Sequence, residues 1–239
     1  MLYNEKVDRR DVVKRYRTLI FDADQTLLDF KKNEAHALPA VFQKYHIELS
    51  EEIKNTYLAI NAKLWRMLEQ GQLTTKQVML QRFEILFERF DIQINPQTFS
   101  DDYMELLSQG AYPMDDALDI LALLSQQYRC VILTNGFTQS QTYRLQHSGV
   151  AKYMEHIFIS EQIGHRKPSI QLAKYVLDKL QCEASECLMI GDCFETDMQF
   201  GINAGMDTCW IRTQNDFDER TSQVTYHIND IKDLGGLLK

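Results

Sequence analysis

Apolar and polar positions divide this chain into three stretches. Residues 18–21, Thr-Leu-Ile-Phe, form a short β-type apolar run, which predicts a buried parallel strand. From about Asn33 to Gln109 the period becomes helical and no strand is evident, giving helices at Glu34–Tyr45, Glu51–Gln70, Thr75–Phe90 and Pro96–Ser108. Ser50, with Glu51 and Glu52 behind it, and Thr74 are suitable N-caps. Leu64, Met67 and Leu68 share one helix face, the pattern of a bundle core. From Pro113 onward strands and helices alternate. Helices are expected at Asp115–Tyr128, Gln139–Ser148 (with Gly149 closing it), Ser169–Leu180 and Thr196–Ala204. Strands are expected at Cys130–Leu133, Ile157–Ile159, Leu188–Ile190 and Thr208–Ile211. Such alternation predicts an α/β fold with a doubly wound parallel sheet. The helical block interrupts it, so residues 1–29 and 112–239 are expected to form the α/β core and 30–111 an inserted α-helical cap domain.

Composition narrows the class of protein. The chain has 239 residues, 44% hydrophobic and 25% charged, which is ordinary for a globular protein. No apolar stretch is long enough to span a bilayer, and Met1 to Arg17 is charged rather than signal-like, so a cytoplasmic location is expected. A net charge of −8 argues against binding a nucleic-acid polymer but leaves room for a small phosphorylated ligand. The five cysteines contain no C-x-x-C pair and indicate neither a zinc site nor a disulfide framework. Cys130 and Cys209 sit within apolar runs and read as core thiols.

Polar residues collect where the predicted strands end, the place where open α/β sheets bind ligands. The first strand runs into Asp22-Ala23-Asp24, whose side chains start on one side of the chain about 7 Å apart if extended. The pair suits a hard cation, a nucleophile and a proton donor; an Asp-rich turn accounts for it equally well. The second strand ends in Thr134-Asn135-Gly136, hydrogen-bond donors beside a residue that permits close backbone approach, or an ordinary Asn-Gly turn. After the third come Gly164-His165-Arg166-Lys167-Pro168. There Lys167 can project an ammonium ahead of a Pro-started helix, or form a solvated basic patch with Arg166. His165 reads as a surface residue. The fourth strand ends in Gly191-Asp192, with Glu195, read as exposed, and Asp197 following. Asp192 with Asp22 would suffice for Mg²⁺, while Asp197 could simply cap a helix dipole. Four successive strand ends of this kind carry more weight than any one.

Asp22-x-Asp24-x-Thr26, Thr134-Asn135-Gly136, Lys167-Pro168 and Gly191-Asp192-x4-Asp197 together resemble the four ordered motifs of the haloacid-dehalogenase-like (HAD) hydrolases. The resemblance covers nearly the whole chain and places the helical insert where that family carries a small cap. More narrowly, residues 21–30 and Asn203-Ala204-Gly205-Met206-Asp207-Thr208-Cys209-Trp210 resemble the pyrimidine-type 5′-nucleotidase branch. The resemblance implies a Rossmann-like core and a Mg²⁺-dependent phosphatase. Asp22 would be the nucleophile forming an aspartyl-phosphate and Asp24 the general acid and base. Asp22, the Asp24 carbonyl and Asp192 would be the metal ligands. Thr134, Asn135 and Lys167 would hold the phosphoryl oxygens, with Asp197 orienting Lys167 or metal waters, and the cap would close over the site. A nucleoside 5′-monophosphate is the expected substrate. Alternatives are a phosphatase or mutase for sugar phosphates or phosphoglycolate, a metal-independent 2-haloacid dehalogenase, and a non-catalytic binding protein. Cap aromatics Trp65, Phe83, Phe87 and Phe90 could stack on a base, although their helical spacing favours core packing.

Overall fold

A computed structural model describes residues 16–212 and 218–238 of the chain. Six strands, β1 (Thr18–Phe21), β2 (Arg129–Thr134), β3 (His156–Ile159), β4 (Cys187–Gly191), β5 (Asp207–Ile211) and β6 (Tyr226–Ile228), form one sheet in the order β3-β2-β1-β4-β5-β6. Every pairing is parallel. Strands buried on both faces need apolar residues at every position, and β1 and β4 are buried throughout. Alternate residues serve opposite faces: Leu19, Phe21, Ile132 and Ile190 join one core cluster, Ile20, Val131, Leu133 and Met189 the other. The helix Ile170–Leu180 covers the second face with Leu172, Ala173, Val176 and Leu180. The chain order reverses beside β1, where the α/β rule locates a ligand crevice.

The chain separates into two compact units, with junctions after Phe30 and after Gly110. Lys31–Gly110 is helical and contains no strand among its described residues. Its elements are most of α1 (Phe30–Lys44) and all of α2 (Glu51–Glu69), α3 (Thr75–Phe90) and α4 (Pro96–Gln109). Local chemistry sets their ends. Ser50 caps α2 by accepting from Ile53 N, Thr74 and Gln77 form a capping box on α3, and Asn95 caps α4 with Pro96 in its first turn. Phe83 and Phe87 are buried and contact Phe99 edge-on, so they are core; Trp65 and Phe90 are partly buried. Within this core lies a polar cluster. Tyr57 donates to Glu34 at 3.2 Å, its hydroxyl oxygen lies 2.9 Å from that of Tyr103, and Arg82 lies buried against the Tyr103 ring. Burial pushes the Glu34 carboxyl above its ordinary pKa, against the hydrogen bond from Tyr57 and the charge of Arg82.

Several elements differ from their expected bounds. The helix expected over 115–128 spans only Ala117–Leu124, because Asp116 adopts a left-handed φ of 62° that no helix residue can keep. The segment at 196–204 begins as a π-helical turn over Phe194–Met198 before Gln199–Ala204 becomes α-helical. Pro168 does not start the next helix: Ser169 caps it by accepting from Gln171 N. The short strand β6, which has only three residues, was not legible in the apolar pattern.

Candidate active site

Parallel pairing alone aligns the strand ends. Phe21 lies opposite Ile190, and the ladder continues one step, Asp22 N donating to Ile190 O at 2.8 Å. Asp22 therefore stands opposite Gly191, and Asp192 leaves the adjacent strand one residue further on. On the other side of β1, Phe21 faces Ile132, which brings Thr134 to the same edge. A Cβ on Gly191 would stand 2.3 Å from Asp197 Oδ2, so the absent side chain lets Asp197 fold back against the end of β4.

Lys167, 4% exposed, ties these ends together. Its Nζ donates to Asp22 Oδ1 at 2.5 Å and Leu133 O at 2.7 Å, and pairs with Asp197 Oδ1 at 2.7 Å. All three ammonium hydrogens are thereby placed. Burial alone would lower the pKa of this lysine; Asp197 and Asp22 outweigh it and keep the charge in place. The basic-patch reading of Lys167 is thus overturned by its burial, whereas His165 is exposed. Glu195 is exposed too, where it pairs with Arg220 at 2.5 Å.

One lysine does not balance the acids around it. Burial pushes the Asp22 carboxyl well above the carboxylate range; Lys167 opposes this, and Asp197 and Asp192 add to it. Asp192 is pushed up to about 7, first by burial and then by Asp197. One oxygen from each of Asp22, Asp192 and Asp197 falls within 4.8 Å of the others. An all-oxygen set with surplus negative charge fits a hard divalent cation such as Mg²⁺. Within it, Asp197 is already engaged: Oδ1 by Lys167 and the Thr196 hydroxyl, Oδ2 by Cys193 N at 3.1 Å. Asp22 and Asp192 are the carboxylates left to hold an ion.

Two residues have contacts the sequence did not show. Asn135 Oδ1 accepts from Lys167 N at 2.9 Å and Ser160 Oγ at 2.8 Å, and its Nδ2 donates to Lys167 O at 3.1 Å. Its side chain thus fastens the Lys167 loop, leaving at most one amide hydrogen for a ligand. Gly136 was read as allowing a ligand close to the backbone; instead a Cβ there would lie 2.3 Å from Gln141 Nε2, so its space is filled by that side chain. Asp24 is held from the following helix, α5 (Thr138–His147): Oδ1 pairs with Arg144 Nη1 at 2.7 Å and Oδ2 accepts from Gln141 Nε2 at 2.7 Å. Neither Gln141 nor Arg144 was singled out from the sequence. Nor was Trp210, whose Nε1 donates to Asp192 O at 2.8 Å. A signal existed for the first two, since α5 offers almost no apolar residue to bury apart from Leu145.

The family model described as haloacid dehalogenase-like hydrolase matches residues 19–211, most of the chain. The chain belongs to the haloacid dehalogenase-like hydrolases. Within that family it is 35% identical to the HAD-hydrolase YfnB of Bacillus subtilis, over 95% of this chain and 97% of that protein. A crystal structure of YfnB bound to magnesium superposes with a TM-score of 0.89, covering 94% of this chain and 99% of the other. The pyrimidine 5′-nucleotidase PynA of Streptococcus pneumoniae is 32% identical over 92% of this chain and 93% of its own length. The pyrimidine 5′-nucleotidase YjjG of Escherichia coli is 29% identical over 92% and 96%. As a HAD-like hydrolase the chain has a Rossmann-like parallel sheet, as its sequence implied. No helix among the described residues is long and apolar enough to cross a membrane.

Proposed function

We propose that this hydrolase is a Mg²⁺-dependent phosphatase that cleaves small phosphate monoesters through an aspartyl-phosphate on Asp22, with nucleoside 5′-monophosphates as substrates. The observation that carries the reading is Lys167 bridging Asp22 and Asp197 beside the Asp192 carboxylate. A phosphate monoester brings about two negative charges, which an attacking carboxylate must overcome. Mg²⁺, held by Asp22, Asp192 and the Asp24 carbonyl, would supply charge neutralisation at the phosphoryl oxygens. Lys167 grips Asp22 Oδ1 and fixes the rotation of the carboxylate, leaving Oδ2 outside that pair. In the reading, an Asp22 oxygen forms a bond to phosphorus as the ester P–O bond breaks. Asp24 gives its proton to the departing alkoxide. It then takes one from the water that releases inorganic phosphate and restores Asp22. Thr134 and the remaining amide hydrogen of Asn135 serve the equatorial oxygens, Lys167 adds its positive charge beside them, and Asp197 orients Lys167.

The names of PynA and YjjG support a nucleotide, and the assignment of residues 30–111 as the family's cap domain belongs to the same reading. A panel of esters with Mg²⁺ tests it: deoxyuridylate and thymidylate against sugar phosphates and phosphoglycolate. Highest kcat/KM on the nucleotides is expected. Preference for a sugar phosphate would move the substrate and leave the chemistry. Turnover of a 2-haloacid without metal, with no phosphatase activity, would overturn both.

A further inference from the structure

Asp24 is gripped by two side chains one helical turn apart. Gln141 and Arg144, at i and i+3 on α5, share a helix face and are each 1% exposed. Arg144 pairs with Asp24 Oδ1 at 2.7 Å, and its guanidinium carbon sits 5.5 Å from the centre of the Phe30 ring. Gln141 Nε2 donates to Asp24 Oδ2 at 2.7 Å and to Thr134 Oγ1 at 3.1 Å, which uses both amide hydrogens. The opposite amide orientation would set two acceptors against each other, so the carboxylate dictates which end faces it. That orientation leaves Gln141 Oε1 buried without a hydrogen-bond partner among the described residues. An orphaned buried carbonyl is destabilising, a cost that persists where the other contacts are needed. The same amide also directs Thr134. The Thr134 oxygen accepts from Gly136 N at 3.0 Å as well as from Gln141, so its own hydrogen is left to be donated elsewhere. Gly136 makes room for this arrangement by having no Cβ.

We propose that Gln141 and Arg144 are positioning residues for the proton-transfer step: together they hold the Asp24 carboxyl for the ester oxygen, and Gln141 turns the Thr134 hydroxyl into a donor. The inference rests on the reading of Asp24 as general acid. Its test compares kcat/KM, which covers steps up to departure of the leaving group, on two esters. One is an alkyl ester, thymidine 5′-monophosphate (or glycerol phosphate if nucleotides prove not to be substrates). The other is p-nitrophenyl phosphate, whose phenolate departs without a proton.

In Gln141→Leu and Arg144→Met the ratio of kcat/KM on the alkyl ester to that on the aryl ester falls at least about 20-fold, the scale of one lost acid contribution, and Gln141→Leu lowers both esters by a further shared factor because Thr134 serves the phosphoryl oxygens of each. Gln141→Leu keeps the side-chain volume, so it carries the test if Arg144→Met fails to fold. Equal losses on both esters, or an unchanged ratio in folded Gln141→Leu, would overturn the proposal. Asp24→Asn separates the two readings. A collapse of the ratio in Asp24→Asn but not in Gln141→Leu sinks the positioning role alone. An unchanged ratio in Asp24→Asn removes the acid assignment, and the inference with it.

Discussion

At the scale of single residues, Lys167 and Asp22 form a pair whose two halves fail differently when removed. Asp22→Asn keeps the shape and loses the nucleophile. Turnover should vanish while the thermal midpoint stays close to wild type, and retention of a tenth of the wild-type rate in steady-state assays would rule the assignment out. Lys167→Ala instead leaves two buried carboxylates, Asp22 and Asp197, without their cation. Loss of one partner from a buried pair costs about 3–5 kcal/mol, so this variant should lose both activity and stability when denatured in metal-free buffer. An Asp22→Asn protein that unfolds as readily as Lys167→Ala would contradict that difference.

At the scale of elements, the strand ends work because backbone and side chains approach closely. Gly191→Ala places a methyl 2.3 Å from the Asp197 carboxylate, so either the turn Phe194–Met198 or the end of β4 must move. A displacement near 1 Å costs about 100-fold in rate, and kcat should fall by that order with the fold retained by circular dichroism. In the helical unit, the buried Glu34 carboxyl makes stability depend on pH. Its folded pKa is raised, so the folded state holds the proton more tightly than the unfolded chain. The stabilisation from that proton is complete below the unfolded carboxylate range, about 4.3, and is lost as pH rises through the folded value. Denaturant titrations from acid to neutral pH should show this decline in wild type and a flatter profile in Glu34→Gln; identical slopes would refute it.

At the scale of the whole molecule, a cation that binds only the folded chain must stabilise it. Mg²⁺ at a hundredfold excess over its dissociation constant adds about 2.7 kcal/mol, a rise in Tm of roughly 5–11 °C for a chain of this size. Calorimetry should show the rise in wild type, its reversal by a chelator, and its absence in Asp192→Asn. A full rise in Asp192→Asn would move the ion away from the strand ends.

The sequence by itself determined the alternation of strands and helices, the helical insert, and the acids at the ends of β1 and β4. Each of these is local: a strand buried on both faces must be apolar, a cap must offer an oxygen, and side-chain period follows element type. Tertiary structure decided the partners. Lys167 is marked in the sequence by its place before Pro168, but its acceptors are not, and only the fold shows it buried between Asp22 and Asp197. Asn135 turns to the Lys167 backbone, Gly136 yields its space to Gln141, and a helix with little apolar surface buries Gln141 and Arg144 against Asp24. Hydrogen-bond partners distant in the chain leave no period in it. Polar contacts are set by direction and desolvation at one point in space, which the order of residues does not encode locally.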